Sequence, residues 1–312
     1  MKFQIIFFFN LVCPIYLAAH GNNIEIVDLL LAKPSIRIPE HCFMKCTKLT
    51  EIKLPQTIER IEEKTFLGCS SLKKVTISKT VRYIGPLAFG GCLSLEEVIF
   101  ENDSKLASIR ESAFVDCISL KTINFPSTLR DIQNNAFFHC ISLNEITIPS
   151  SVAHLYDKAF YRCSRLEKVT FENNNMELDK FDTYLFAGCT SLAQINFPPA
   201  LNCISNYAFY ECHKLREVSF PPSLKEIGEK SFSQCSSLNK VVFQRPSSLE
   251  LISDQAFEGC SSLTEISIPP SVSTIGSYAF LYTDLKKIDL PSEMSQDLNY
   301  IGIFDETKVT II

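Results

Sequence analysis

Leu143-Asn144-Glu145-Ile146-Thr147-Ile148-Pro149-Ser150-Ser151-Val152-Ala153-His154-Leu155-Tyr156-Asp157-Lys158-Ala159-Phe160-Tyr161-Arg162-Cys163 is one full turn of a pattern that decides the fold. It returns upstream as Leu72…Val75…Ile77…Val81…Ile84-Gly85…Ala88-Phe89…Cys92. Downstream it returns as Leu263…Ile266…Ile268-Pro269…Val272…Ile275-Gly276…Ala279-Phe280. The phenylalanine stands at 43, 66, 89, 114, 137, 160, 186, 209, 232, 257 and 280, so the turn occurs eleven times. Ten copies carry a Cys three residues later, from Cys46 to Cys260. A period of 23 to 26 residues marks a solenoid, in which one coil cannot bury its apolar side alone and stacked coils share a core.

In Leu-x-x-Ile-x-Ile the last two apolar residues share one face of an extended segment, and the following Pro stops it. Repeated in one direction, these segments make a parallel sheet on one side of the stack, with rungs ~4.8 Å apart and about eleven coils in a curved rod roughly 50 Å long. The small residue before most of the phenylalanines lets the return segment pack closely while the ring fills the interior.

The recurring Leu-x-x-Ile-x-Ile-Pro-x-Ser-Val-x-x-Ile-Gly-x-x-Ala-Phe-x-x-Cys resembles the 23-residue leucine-rich repeat of BspA-like surface antigens, from about Arg37 to Ile312. The resemblance implies a leucine-rich repeat horseshoe or rod that binds other macromolecules, often host matrix proteins or other cells. It places the chain on a cell surface or outside the cell.

Every third coil is longer: the Cys spacings run 23, 23, 25, 23, 23, 26, 23, 23, 25. The long coils read Phe100-Glu101-Asn102-Asp103, Phe171-Glu172-Asn173-Asn174 and Phe243-Gln244-Arg245-Pro246. The plain reading is duplication of a three-coil block. Its consequence is three enlarged loops on one edge, and loops on a regular scaffold are where solenoids often bind. Glu101, Asn102, Asp103, Glu172, Asn173, Asn174, Gln244 and Arg245 are therefore the candidate partner-binding residues. The rival is the strand face, where Glu51, Lys74, Glu97, Glu145, Lys168, Glu217, Lys240, Glu265 and Lys287 project and opposite charges alternate between rungs. Either surface can equally be ordinary solvated scaffold.

Net charge is −5 without a basic run, so a nucleic-acid footprint is missing. Cys42-x-x-x-Cys46 lacks a second ligand pair, no Gly-rich phosphate loop occurs, and His41, His139 and His213, three of the five His, adjoin Cys without forming a dyad. The expectation is no catalytic residue, no metal and no cofactor. Ten of the 13 Cys share one register, which holds their Cβ atoms at rung spacing, roughly 4.8 Å, beyond the usual disulfide range of about 3.5–4.5 Å. Buried free thiols with weak S–H bonds to turn carbonyls are expected, and they fit a reducing compartment.

Residues 1–36 form a separate segment with two readings. Met1-Lys2, the apolar run from Phe3 and Leu17-Ala18-Ala19 look like a signal peptide. Cys13-Pro14-Ile15-Tyr16-Leu17-Ala18-Ala19-His20-Gly21, followed by Leu29-Leu30-Leu31, resembles a single ankyrin repeat and points to the cytoplasm. Residues 37–312 are the solenoid, and apart from a possible N-terminal signal no apolar run reads as an integral membrane segment. The expected function is a non-catalytic protein–protein interaction module. It is either a surface antigen or adhesin-like binder of protein or glycoprotein, or an intracellular repeat scaffold.

Overall fold

The computed structural model describes residues 38–172, 176–292, 298–303 and 307–312. The ankyrin-like or signal segment lies outside them, as do Asn173 and Asn174. The chain gathers into two compact units, one ending at Leu143 and one beginning at Asn144. Both are parallel β-solenoids, and together they carry the eleven phenylalanine coils. Among the described residues all regular structure is strand.

From the Phe66 coil onward each coil has a front strand of up to four residues, a turn, a back strand of two residues and a six-residue turn around the phenylalanine. In the first unit Glu51–Lys53, Lys74–Ile77, Glu97–Phe100 and Thr122–Ile123 pair in parallel, with Glu51, Lys74, Glu97 and Thr122 in register. Arg60–Ile61, Tyr83–Ile84, Ser108–Ile109 and Asp131–Ile132 form the back ladder. In the second unit the back ladder runs unbroken through Lys180–Phe181, Cys203–Ile204, Glu226–Ile227, Leu251–Ile252 and Thr274–Ile275.

The second unit's front strands fall into three groups instead of the single sheet expected from the repeat. Glu145–Ile148, Lys168–Phe171 and Gln194–Ile195 make the first, Glu217–Phe220 and Lys240–Phe243 the second, and Glu265–Ser267, Lys287–Leu290 and Lys308–Ile311 the third. At the first division Asn196 turns its side chain back onto Phe171, taking both the N–H and the C=O of that residue at 2.8 Å. The strand therefore stops at Ile195. The second division follows the third enlarged loop.

All eleven column phenylalanines are fully buried. In the first unit the rings of Phe43, Phe66, Phe89, Phe114 and Phe137 stack 5.0–5.1 Å apart, within 7° of parallel. In the second, Phe160, Phe186, Phe209, Phe232, Phe257 and Phe280 stack at 5.0–5.7 Å. Such offset stacks add to the large area each ring buries.

The turn around each ring joins coils by main-chain bonds. In the coil of Phe209, Tyr207, Phe209 and Glu211 donate their N–H groups to Glu229, Ser231 and Ser233 of the next coil at 2.7–3.0 Å. Ala208, Tyr210 and Cys212 donate within the coil. This alternation requires left-handed backbone two residues either side of the ring, at Tyr207 (φ 59°) and Glu211 (φ 61°). Non-glycine residues hold that conformation at a cost of about 1–2 kcal/mol each, which the inter-coil bonds offset.

The cysteine column completes the join. Cys69, Cys92, Cys117 and Cys140 donate S–H bonds of 2.9–3.2 Å to the carbonyls of Phe43, Phe66, Phe89 and Phe114. Cys189, Cys212, Cys235 and Cys260 do the same to Phe160, Phe186, Phe209 and Phe232 at 3.2–3.3 Å. Every described cysteine is a free thiol.

The Ile-Gly of the back strand has its own cause. A Cβ on Gly228 would lie 2.8 Å from the Ile204 carbonyl and from the main-chain N and Oδ1 of Asn206. That Oδ1 accepts the Glu229 N–H at 3.0 Å, so the glycine makes room for a side chain that caps its neighbour. Gly228→Ala is expected to cost about 1–3 kcal/mol, the usual range for overpacking. Urea unfolding that shows under ~0.5 kcal/mol lost, the level of an indifferent surface change, would mean the approach is not tight.

Candidate functional site

The enlarged loops begin alike. Glu101, Glu172 and Gln244 each donate their main-chain N–H to the last front-strand residue of the preceding coil, Ile77, Ile148 and Phe220, at 3.0–3.1 Å. The two carboxylates then fold inward. Glu101 accepts the Lys79 N–H at 3.2 Å, and Glu172 accepts the Ser150 N–H at 3.0 Å. Glu101 also takes a bond from the Gln56 amide and an ion pair from Lys53 at 3.4 Å. The Gln56 bond, with the Lys79 N–H and Lys53, holds its carboxyl below the usual range against the opposing effect of burial.

In the third loop the position facing that carboxylate is Pro222, which has no N–H to give. An amide stands there instead of an acid, and Gln244 Nε2 donates to Ser219 Oγ at 3.2 Å. The loops close similarly, with Lys105 N–H on Lys79 O at 2.9 Å and Ser248 N–H on Pro222 O at 3.0 Å. The first loop leaves Asn102 and Asp103 exposed, with Asp103 in left-handed backbone at φ 59°. The third leaves Gln244, Arg245 and Pro246 exposed. Arg245 has no ion pair among the described residues. Within the second unit the coils of Glu172 and Gln244 are three back rungs apart.

The front-strand charges meet as their register requires. Lys74 pairs with Glu97 at 3.0 Å and Lys240 with Glu217 at 3.3 Å, all four well exposed. Such pairs are worth about 0.2–1 kcal/mol, so their role is to avoid like-charge ladders.

The sequence reading missed a cleft of about 720 Å³ in the second unit, lined by Val242, Phe243, Arg245 and Pro269. A second, of about 350 Å³, adjoins it along Lys240, Val242 and Ser267. The visible signal was Val242, an apolar residue in an outward column otherwise rich in Thr, Asn and Ser. Among the described residues no three His, Cys, Asp or Glu side chains gather as a metal-binding group. Burial pushes the column thiols up, Cys69 and Cys235 to about 12, which opposes the thiolate a nucleophile needs.

Comparison with family models matches the BspA-type leucine-rich repeat region, in six copies, over residues 88–181 and 179–301. The chain belongs to the BspA-type leucine-rich repeat family. The coils of Phe43 and Phe66 precede the matched residues and keep the same ring stack and thiol bonds. A leucine-rich repeat protein from Bacteroides ovatus is similar in structure, with 25% identity, a TM-score of 0.53 and coverage of 88% of this chain and 86% of the other. A leucine-rich cell surface protein from Faecalibacterium prausnitzii shares the fold at 22% identity and a TM-score of 0.51, over 84% of this chain and 87% of that one. No curated protein matches the chain. Among the described residues of this BspA-type repeat protein, no helix is long and apolar enough to cross a membrane.

Proposed function

We propose that this BspA-type repeat protein is a non-catalytic interaction module whose enlarged loops contact a protein or glycoprotein partner. The observation that carries this reading is the division of labour inside the loops. Glu101 and Glu172 anchor the first two loops to the preceding coil, which leaves Asn102 and Asp103 outward, while the third loop, closed by Ser248 N–H on Pro222 O and Gln244 on Ser219, leaves Arg245 exposed. A polar side chain on an anchored turn loses little freedom on binding, which favours affinity. Asn173 and Asn174 are proposed to belong to the same set through the shared loop sequence. Membership of the BspA-type family supports an adhesin-like or surface-antigen role, with extracellular protein as the proposed partner class.

The test is biolayer interferometry against a panel of purified matrix glycoproteins. Asn102→Ala, Asp103→Ala and Arg245→Ala together are expected to weaken binding of the best panel member at least about tenfold, or ~1.4 kcal/mol. Reversing the charges of Glu145, Lys168, Glu217 and Lys240 is expected to change it less than about threefold, as for exposed rim charges. Unchanged affinity in the loop variant, with loss in the sheet variant, rejects the loops.

A further inference from the structure

The hollow beside the third enlarged loop has a cause in the repeat. The loop bonds backward at both ends, with Gln244 N–H on Phe220 O at 3.1 Å and Ser248 N–H on Pro222 O at 3.0 Å. The turn of the following coil bonds onward, with Ile268 N–H on Asp289 O at 2.9 Å. Between them the repeat sets Pro269 opposite the Phe243 carbonyl, and proline has no N–H to give. At the preceding enlarged loop Asn196 makes good the same deficit, its Nδ2 donating to the Phe171 carbonyl at 2.8 Å. Here Ser267 stands in the place of Asn196, and its shorter side chain makes no such bond. The cleft of about 720 Å³ opens where the two sides part, at the ends of their front strands. Its size is within the usual range for ligand sites.

The walls are mostly apolar. The Phe243 ring leans on Phe220, centroids 5.4 Å apart, yet it stays half-buried where the equivalent Phe171 and Phe220 are buried. Val242, 37% exposed, stands beside it, and Pro269 and Pro270 lie opposite. Among the described residues that line the cleft Arg245 alone carries a charge, exposed and without an ion pair. The smaller cleft alongside differs. Lys240, Glu265, Lys287 and Asp289 bring it two charges of each sign, with Lys240 on Glu217 and Lys287 on Asp289, both at 3.3 Å.

We propose that the larger cleft binds a small aromatic carboxylate, its ring against Phe243 and Pro269 and its carboxylate on Arg245. An apolar hollow with one unpaired cation selects an anion with an apolar body. A planar guanidinium takes a carboxylate by two parallel hydrogen bonds, and a half-buried ring offers an aromatic ligand a surface for offset or edge contact. The hydroxyl of Ser271 lies on the same wall as a further donor. The ligand sits at the strand ends, outside the rungs, and needs no separation of one strand from the next. One side chain of a partner protein would leave much of this volume open, which favours a free small molecule. The site goes beyond the loop-mediated contact with a protein and shares only Arg245 with it.

The probe is naphthaleneacetic acid, followed by ligand-observed NMR titration against the full chain. Saturable binding is expected with a Kd of about 1 mM or tighter, which a ligand of this size reaches at ordinary efficiency. Naphthaleneethanol, which keeps the ring and loses the charge, should bind at least about tenfold more weakly, the scale of a charge-assisted hydrogen bond. Arg245→Ala should make acid and alcohol bind alike, and Arg245→Lys should keep part of the preference. Val242→Glu, which sets a like charge beside the ligand, should weaken the acid at least about tenfold.

Arg245 is an exposed loop residue, so if Val242→Glu fails to fold, the comparison of acid and alcohol in Arg245→Ala still decides. No saturation by about 5 mM, or a preference for the acid that Arg245→Ala leaves intact, overturns the proposal. So does a peptide ending in Gly-Gly-Phe with a free carboxylate if it binds at least about tenfold more tightly than naphthaleneacetic acid, which would give the cleft to the C-terminus of a partner protein. Loop-dependent capture of a matrix glycoprotein should survive Val242→Glu. Failure of the probe with capture intact removes the cleft site and leaves the interaction module standing, and probe binding without capture does the reverse.

Discussion

Phe209→Ala is expected to cost the second unit about 3–5 kcal/mol, the usual range for deleting a buried ring. Phe209 has no exposed surface. Its ring stacks on Phe186 at 5.6 Å and Phe232 at 5.0 Å, and Phe197 meets it edge-on at 6.0 Å. The ring therefore has protein on every side, and a solenoid core cannot collapse into the vacancy without shortening the rung spacing that the main-chain bonds fix. The Phe209 carbonyl also accepts from Cys212 N–H and Cys235 Sγ, both at 3.2 Å, so a shift of this residue disturbs the next coil. Because coils contact only neighbours, damage should spread from this point rather than appear everywhere at once. Equilibrium denaturation gives the loss, and hydrogen exchange locates it. A loss under ~1 kcal/mol, the average for any substitution, would mean that the ring column does not carry the core. Phe209→Leu, which keeps most of the volume, should cost clearly less.

The ring and thiol columns were legible in the sequence because a solenoid asks the same thing of the same position in every coil. Phe and Cys recur since the interior at those points is identical each time. The left-handed turns were less legible. Gly68, Gly91, Gly188 and Gly259 betray the position after the ring, but Glu211 and Gln234 occupy it too. There the demand falls on the backbone, the inter-coil bonds meet its cost, and the side chain is left free to vary. The anchoring role of Glu101 and Glu172 was hidden for another reason. Each acid looks like an exposed loop charge until the preceding coil places a main-chain N–H under it. In hindsight the substitution by Gln244, opposite Pro221-Pro222, carried that information. The parting of the front sheet depends on where one side chain, Asn196, turns and on how the third loop leaves its strand. Neither follows from periodicity, because both are exceptions to it. For the same reason Val242, which lines the cleft, was not among the candidate residues, while Arg245, which also lines it, was.

The thiol column should set an alkaline limit on stability. Burial pushes Cys235 up to about 12 and holds Cys189, Cys212 and Cys260 well above their ordinary value of 9.0. A folded-state pKa raised above the unfolded one means that the folded chain keeps its protons while the unfolded chain releases them. The stabilisation is then complete below about pH 9 and is lost as pH rises toward the folded values. Each such thiol contributes a slope of about 1.4 kcal/mol per pH unit in that window. These four together give roughly 5 kcal/mol per pH unit. A domain's whole stability is about 5–15 kcal/mol, so a slope of this size weakens the unit severely as pH climbs above 9. Circular dichroism against urea, from pH 7 to 10.5, is expected to show a flat region and then a steep fall beginning near pH 9. Lysine and tyrosine also titrate at the upper end, so the decisive comparison is internal. Cys212→Ala lowers stability at pH 7 through the lost contact and S–H bond, yet should flatten the alkaline slope by about 1.4 kcal/mol per pH unit. Cys203, only half-buried and outside the column, should react with an alkylating reagent in the native state at pH 8, when the column thiols are still protected. An alkaline slope that Cys212→Ala leaves unchanged, or column cysteines recovered as disulfides from unreduced protein, would remove the thiol column as the cause.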